Sequence, residues 1–291
     1  MASGRDRRLP LTIFLNLIIV AELIVAPAPA PGASEDTAFP PHRIASNLYY
    51  VGSRNLASYL ITTGKGHILI NSGFERTVPL IRGSIEQLGF RFSDVKILLE
   101  SHAHDDHVEG HALVRQLTGA QVYVMKGDDK VIASGGLGQY FYHHRWKPCP
   151  VDRVLEDGDK VVLGEAALIA RRTPGHTLGC TTWTLRARDA GKTYDVVIVG
   201  SPNVNDGFRL VDNKDYPEIA SDFASSFQIW KSLPCDIFLG AHGNYYGMEA
   251  KAARAKNGGK NAFVDPQGYQ AYIADREQAF RAKLQEQRQK P

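Results

Sequence analysis

Apolar residues in this chain fall into short runs separated by glycine, proline and polar turns. Leu48–Val51 and Ala57–Thr63 are rich in aromatic and β-branched residues and predict strands. Gly64-Lys65-Gly66 predicts a turn, and His67–Ile70 a third strand that ends at Asn71-Ser72-Gly73. The period then becomes helical. Pro79 suits a first turn, Ile81, Ile85 and Leu88 share a face, and Gly89 is a stop, so a helix is predicted over Val78–Leu88. Val95–Leu99 is a compact apolar run of the kind that forms a buried strand. A second helix is predicted over Val108–Thr118, with Gly119 as its cap, and a strand over Val122–Met125. Residues 134–150 show no period and read as a loop beside the site. Further strands are expected at Val161–Leu163, Ala167–Ala170, after the turn Thr173-Pro174-Gly175, at Val196–Val199 and at Asp236–Leu239. Asp265–Gln289 reads as a polar helix with Tyr269, Tyr272 and Ile273 on its apolar side. Strands and helices that recur in this way predict an α/β protein in two halves, divided near residue 170.

Length and composition narrow the class. At 291 residues and 43% hydrophobic the chain can build a large core. The net charge is only +3, and no basic run interleaves with aromatic residues, so a nucleic-acid partner is not indicated. Cys149, Cys180 and Cys235 include no C-x-x-C pair and define no disulfide framework. At the N-terminus, Arg5, Arg7 and Arg8 precede a mostly apolar Leu9–Ala21 and an Ala/Pro-rich Ala26–Ala33. This pattern predicts an export signal over residues 1–33, a catalytic domain over 34–291, and a periplasmic or secreted product with no membrane attachment after signal removal. Glu22 interrupts the apolar stretch, which is shorter than the ~20 residues a spanning helix needs.

The chemistry concentrates after the strand at Val95–Leu99, in His102-Ala103-His104-Asp105-Asp106-His107. In extended backbone His102 and His104 point the same way, whereas the adjacent Asp106 and His107 point apart. One loop can then serve two metals. His176, in a Pro-Gly-His-Thr turn, and His242, after the apolar Ile237-Phe238-Leu239, also follow strand ends. The count gives two sets, His102 with His104 and His176, and Asp106 with His107 and His242. Three protein ligands with an open position is the pattern of catalytic zinc. His42, His67, His143 and His144 read as surface or loop residues. His111, one helical turn after His107, reads as a helix-surface residue or one that backs the ligands. Asp105 suits a helix N-terminus, where negative charge is favoured.

The segments Ser101–His107, Thr173–Trp183, Gly200-Ser201 and Leu233-Pro234-Cys235-Asp236 leading to His242 resemble those of the metallo-β-lactamase superfamily, and closely those of its B3 subclass. The resemblance covers about Ile44 to the C-terminus. It implies a four-layer αββα sandwich with two zinc ions at one edge. It also implies hydrolysis of the amide bond of β-lactam antibiotics by a metal-bound hydroxide, with the first zinc polarising the carbonyl and the second receiving the departing nitrogen. Asp106 would orient water and help protonate that nitrogen. Ser201 would act near the second zinc or the substrate carboxylate, and Asn203 would contact substrate. Relatives that hydrolyse thioesters or lactones, as glyoxalases and lactonases do, place a metal-bridging Asp where this chain has Ser201. A mono-iron persulfide dioxygenase and a non-catalytic zinc protein are the remaining readings. The chain departs from the family pattern at Asn71 (often Asp), Asn203 (often Ser) and Phe208 (Tyr in some members), and Cys235 lacks its distal cysteine.

Overall fold

The computed structural model describes residues 36–189 and 191–289, together with Met1. The expected export signal therefore lies outside the described residues. Among the described residues, no helix is long and apolar enough to cross a membrane.

Two sheets stand at the centre. The first runs in sequence order: β1 (His42–Ala45), β2 (Leu48–Tyr50), β3 (Tyr59–Thr63), β4 (Gly66–Ile70), β5 (Val95–Leu99), β6 (Gln121–Met125) and β7 (Arg153–Leu155). Pairing is antiparallel from β1 to β4 and parallel from β4 to β7. The second sheet contains β8 (Lys160–Leu163), β9 (Ala166–Arg172), β10 (Thr181–Asp189), β11 (Lys192–Val199) and β12 (Ile237–Gly240). It is antiparallel except where β11 meets β12.

Alternation along the strands sets the layers. In the first sheet Ile61, Ile68, Ile70 and Leu99 join one core with Leu168, Trp183 and Ile198 of the second sheet. The opposite-facing Leu60, Leu69 and Leu98 pack instead with Ile81 and Ile85 of α1 (Val78–Gln87) and with Val108 and Val114. Trp183 and Thr182 show the same alternation in β10. The Trp183 indole reaches across to the Glu100 carbonyl at 2.7 Å, while Thr182 faces outward and accepts the Trp230 indole N–H at 2.8 Å. Trp230 lies on α5 (Ile219–Ser232), whose Phe223 and Phe227 meet Phe280 of α7 (Pro266–Gln289) at 5.5 and 5.6 Å. The order is helix, sheet, sheet, helix, as the resemblance implied.

The structure corrects several expectations. The halves divide between Leu155 and Lys160, not near residue 170, because β9 pairs on both sides within the second sheet. The helix expected over Val108–Thr118 is two pieces, α2 (Asp105–Val108) and α3 (His111–Thr118). Between them the Gly110 N–H turns to the Gly73 carbonyl at 2.9 Å. A side chain at Gly110 would press to 2.8 Å from the Ser72 carbonyl oxygen, so the break needs glycine. The sequence reading also passed over β1, β7, α4 (Asp129–Ala133), α5 and α6 (Met248–Lys256). Two histidines read as surface or loop residues are built into the fold instead, and of the two readings of His111 the helix-surface one is excluded. His42 stacks between Tyr50 and Phe263, His67 is buried beside Phe90, and His111 is fully buried.

Candidate metal centre

The site forms where strands of both sheets end. β5 delivers Glu100, Ser101 and His102, and the backbone is then pinned residue by residue. The Ser101 N–H donates to Asn71 Oδ1 at 2.8 Å and the Ala103 N–H to Asp128 Oδ2 at 2.8 Å. His104 precedes α2, whose single turn carries Asp106 and His107. From the second sheet, the turn after β9 supplies His176 and the end of β12 supplies His242. Gly175 holds φ at +125°, and a Cβ there would meet Phe223 at 2.6 Å, so the turn that aims His176 requires glycine.

The six expected ligands converge. His102, His104 and His176 bring one nitrogen each within 4.8 Å of the others, with ring centroids 4.6–4.7 Å apart. In the second group His107 Nε2 lies 3.2 Å from His242 Nε2, and Asp106 Oδ2 lies 3.3 and 3.5 Å from these two nitrogens. His102 also falls within 4.8 Å of Asp106 and His107, so the groups abut. Asp106 and His107 do not point apart as extended backbone would make them. They sit in a helical turn, and both face the same point.

Electrostatics suit a cation. Burial, reinforced by neighbouring imidazoles, holds His102 and His104 well below the ordinary histidine range. It lowers His107 to about 3 and His176 and His242 to about 4. All five are then neutral imidazoles, the form that ligates metal. The His176 Nδ1 lies 2.8 Å from the Asn203 carbonyl, which places the ring proton on Nδ1 and leaves Nε2 for a ligand. Four buried imidazoles, the partly exposed His242 and a carboxylate, with facing nitrogens 3.2 Å apart, are a donor set that fits zinc.

Asp128 joins the two sides. Its Oδ2 accepts the Ala103 N–H and the Thr177 hydroxyl at 2.7 Å, and its Oδ1 accepts the Gly179 N–H at 2.8 Å. The sequence offered no signal for it, since Gly127-Asp128-Asp129 reads as an ordinary turn. Asn71 adopts φ +64°, a left-handed conformation that Asn tolerates, and faces His107 Nδ1 at 3.3 Å.

Above the ligands opens a cleft of about 370 Å³ whose walls include Asp106, Tyr142, Asn203, Asn205 and Tyr245. Asn203, expected to contact substrate, lines this cleft. Ser201 is fully buried, with its Oγ 3.3 Å from the Tyr245 hydroxyl. Tyr142, Asn205 and Tyr245 were not singled out from the sequence, although Tyr142 belongs to the loop read as lying beside the site. Tyr140 of that loop donates to the His176 carbonyl at 2.7 Å. Phe208 is buried against the His176 ring at 5.6 Å. Asp105, expected at a helix start, is there and also pairs with His144 at 2.6 Å. All three cysteines are free.

This layered fold with a histidine-rich edge defines a class, and the comparisons agree with it. A family model for the metallo-beta-lactamase superfamily matches residues 52–201, and the chain belongs to that superfamily. Within it, the chain is similar to the FEZ-1 metallo-beta-lactamase from Legionella gormanii, at 48% identity over 88% of this chain and 99% of that one, with a TM-score of 0.86. BJP-1, a subclass B3 metallo-beta-lactamase of Bradyrhizobium japonicum, is 32% identical over 87% of this chain and 96% of that one, with a TM-score of 0.81. Among curated relatives, the human mitochondrial persulfide dioxygenase ETHE1 is 30% identical over 45% of this chain. A hydroxyacylglutathione hydrolase of Rhodospirillum rubrum is 29% identical over 34%. The matches span 43% and 31% of those relatives' own lengths.

Proposed function

We propose that the chain is an exported, zinc-dependent hydrolase of β-lactams that holds two zinc ions. The observation that carries this is the convergence of two three-ligand sets at the floor of one cleft, with neutral Ser201 at the end of β11. Zinc bound by His102, His104 and His176, and by Asp106, His107 and His242, would supply a Lewis acid and water acidified to near-neutral pKa. The chain's own groups do the rest. Asp106, on the cleft wall with Oδ2 between two imidazoles, orients water and passes a proton to the departing nitrogen. Asn203, on the cleft wall, orients substrate. Tyr140, through the His176 carbonyl, fixes the turn that presents this imidazole.

A second reading, thioester or lactone hydrolysis, is favoured by the likeness to hydroxyacylglutathione hydrolase. One experiment separates the readings. The zinc-loaded protein is assayed against a cephalosporin, a lactoylglutathione thioester, a homoserine lactone and glutathione persulfide, with metal content measured in parallel. Turnover of the cephalosporin, lost to chelator and restored by zinc, is the expected result. Preference for the thioester, or activity that follows bound iron, would overturn the proposal.

A further inference from the structure

The hydroxyl expected to meet substrate beside the second ligand set was that of Ser201, and Ser201 has no exposed surface. The cleft wall instead carries the hydroxyls of Tyr142 and Tyr245, and of these Tyr245 lies beside the second ligand set, 5.1 Å from His242. We infer that the Tyr245 O–H binds the carboxylate of the substrate. This rests on the β-lactam reading and assigns part of the same cleft.

The argument follows the protons. Asn203 Nδ2 donates to the Tyr245 oxygen at 2.8 Å. The amide is oriented this way round because its Oδ1 faces Arg276 Nη1 at 3.5 Å, a donor that only an oxygen can satisfy. Ser201 Oγ lies 3.3 Å from the same phenol oxygen and can give it a second proton. With Asn203 donating to the oxygen, and Ser201 able to do the same, the phenolic proton is free to point into the cleft. A phenol keeps its proton at neutral pH, so that proton stays in place.

The ring is held in position. It stacks on Tyr272 at 5.2 Å and lies 5.1 Å from His242, beside the second ligand group. The Arg276 guanidinium, which is also paired with Asp275, sits 6.0 Å from the Tyr272 ring centre. A row of hydrogen bonds thus runs from a cation through Asn203 to Tyr245 and ends at the cleft. Each link polarises the next in one direction, and such a row ends best on an anion. Phe208 has no hydroxyl, Ser201 is buried, and Tyr142 lies against His104 of the first ligand set at 4.7 Å, which leaves Tyr245 to make this contact beside the second.

The test uses the full chain loaded with zinc, as wild type, Tyr245→Phe and Ser201→Ala. Two probes, mercaptoacetate and its methyl ester, are titrated by calorimetry. A cephalosporin and its methyl ester are assayed for kcat and KM. Tyr245→Phe is expected to bind mercaptoacetate about tenfold more weakly, the size of one hydrogen bond to a charged group. Its affinity for the ester and its metal content stay as in wild type. KM for the cephalosporin acid rises about tenfold while kcat moves little. Ser201→Ala loses less than Tyr245→Phe. Equal losses for acid and ester, a larger loss in Ser201→Ala, or wild-type acid binding in Tyr245→Phe would overturn the inference. If wild type turned over no β-lactam yet showed the Tyr245-dependent preference for the acid probe, the reaction would be reassigned and the carboxylate site would stand.

Discussion

One oxygen of Asp128, Oδ2, accepts both the Ala103 amide and the Thr177 hydroxyl, at 2.8 and 2.7 Å. Ala103 lies between two ligands of the first sheet's loop, and Thr177 follows the second sheet's ligand His176. A single buried carboxylate therefore spaces the three imidazoles of one set. Asp128→Asn turns an amide N–H₂ toward groups that are themselves donors. The expected cost is about 10–100-fold in affinity at this set, as for other groups that orient ligands. Stepwise zinc removal by a chelator of graded strength measures it, and an unchanged first dissociation constant in the variant would contradict the role.

Asn71 points to a second experiment. The Ser101 N–H holds its Oδ1, so its N–H₂ faces the Ala57 carbonyl at 3.1 Å and His107 Nδ1 at 3.3 Å. A donor opposite Nδ1 favours the tautomer with its proton on Nε2, the atom directed at the site. Asn71→Asp would instead accept a proton from Nδ1 and free Nε2. Zinc at the second set should then bind about tenfold or more tightly. Competition titration against a fluorescent chelator reads this directly, and weaker binding in the variant would refute it.

His111 should matter for stability more than a surface residue would. It is fully buried, and its Nδ1 lies 2.7 Å from Ser72 Oγ. Ser72 also donates its backbone N–H to the His107 carbonyl at 2.9 Å. His111→Ala leaves a cavity and removes the shortest contact of the Ser72 hydroxyl, with an expected loss of about 2–4 kcal/mol. Urea unfolding of the metal-free protein gives the value. Zinc stoichiometry should remain that of wild type, and its loss would make His111 a ligand.

The metal-free protein should be acid-sensitive in a defined window. His107, His111, His176 and His242 have folded pKa values lowered to about 3, 3, 4 and 4, against about 6.5 when unfolded. Below pH ~6.5 the unfolded chain binds protons that the folded chain refuses, so stability falls with pH until the folded values are reached. Above ~7 this contribution is complete and flat. Denaturant midpoints of chelator-treated protein should drop steadily from pH 7 to 4. A midpoint that held constant across that window would rule out a cluster of buried neutral imidazoles.

Some of this could be read in the sequence because it is local. Val95–Leu99 has the predicted strand bounds because a buried parallel strand is apolar on both faces and needs no alternation. The ligand loop was visible because its residues are adjacent in sequence. Helix α5 was overlooked although Phe223, Phe227 and Trp230 keep helical spacing, because Ser221 before them and Ser225 and Ser226 between them favour turns. The convergence of Asp106 and His107 depends on one turn of helix that an extended reading could not foresee. The roles of Asp128, Tyr245 and His42 could not be read at all. Each has partners tens to hundreds of residues away, such as Thr177 for Asp128, Asn203 for Tyr245 and Phe263 for His42, and only the packed fold brings them together.

The two-sheet origin of the ligands has a consequence for how the protein matures. His102, His104, Asp106 and His107 arrive with the first sheet, and His176 and His242 with the second. Neither sheet alone completes either triplet, so a nascent chain that has built only its N-terminal half carries incomplete grips with little hold on an ion. Tight metal capture must wait until the halves close on each other. A metal bound by both halves would work as a latch across that closure, opposing their separation more strongly as its free concentration rises. In a compartment poor in zinc, the supply of metal, rather than the speed of strand pairing, would set how much of the protein persists in its closed form.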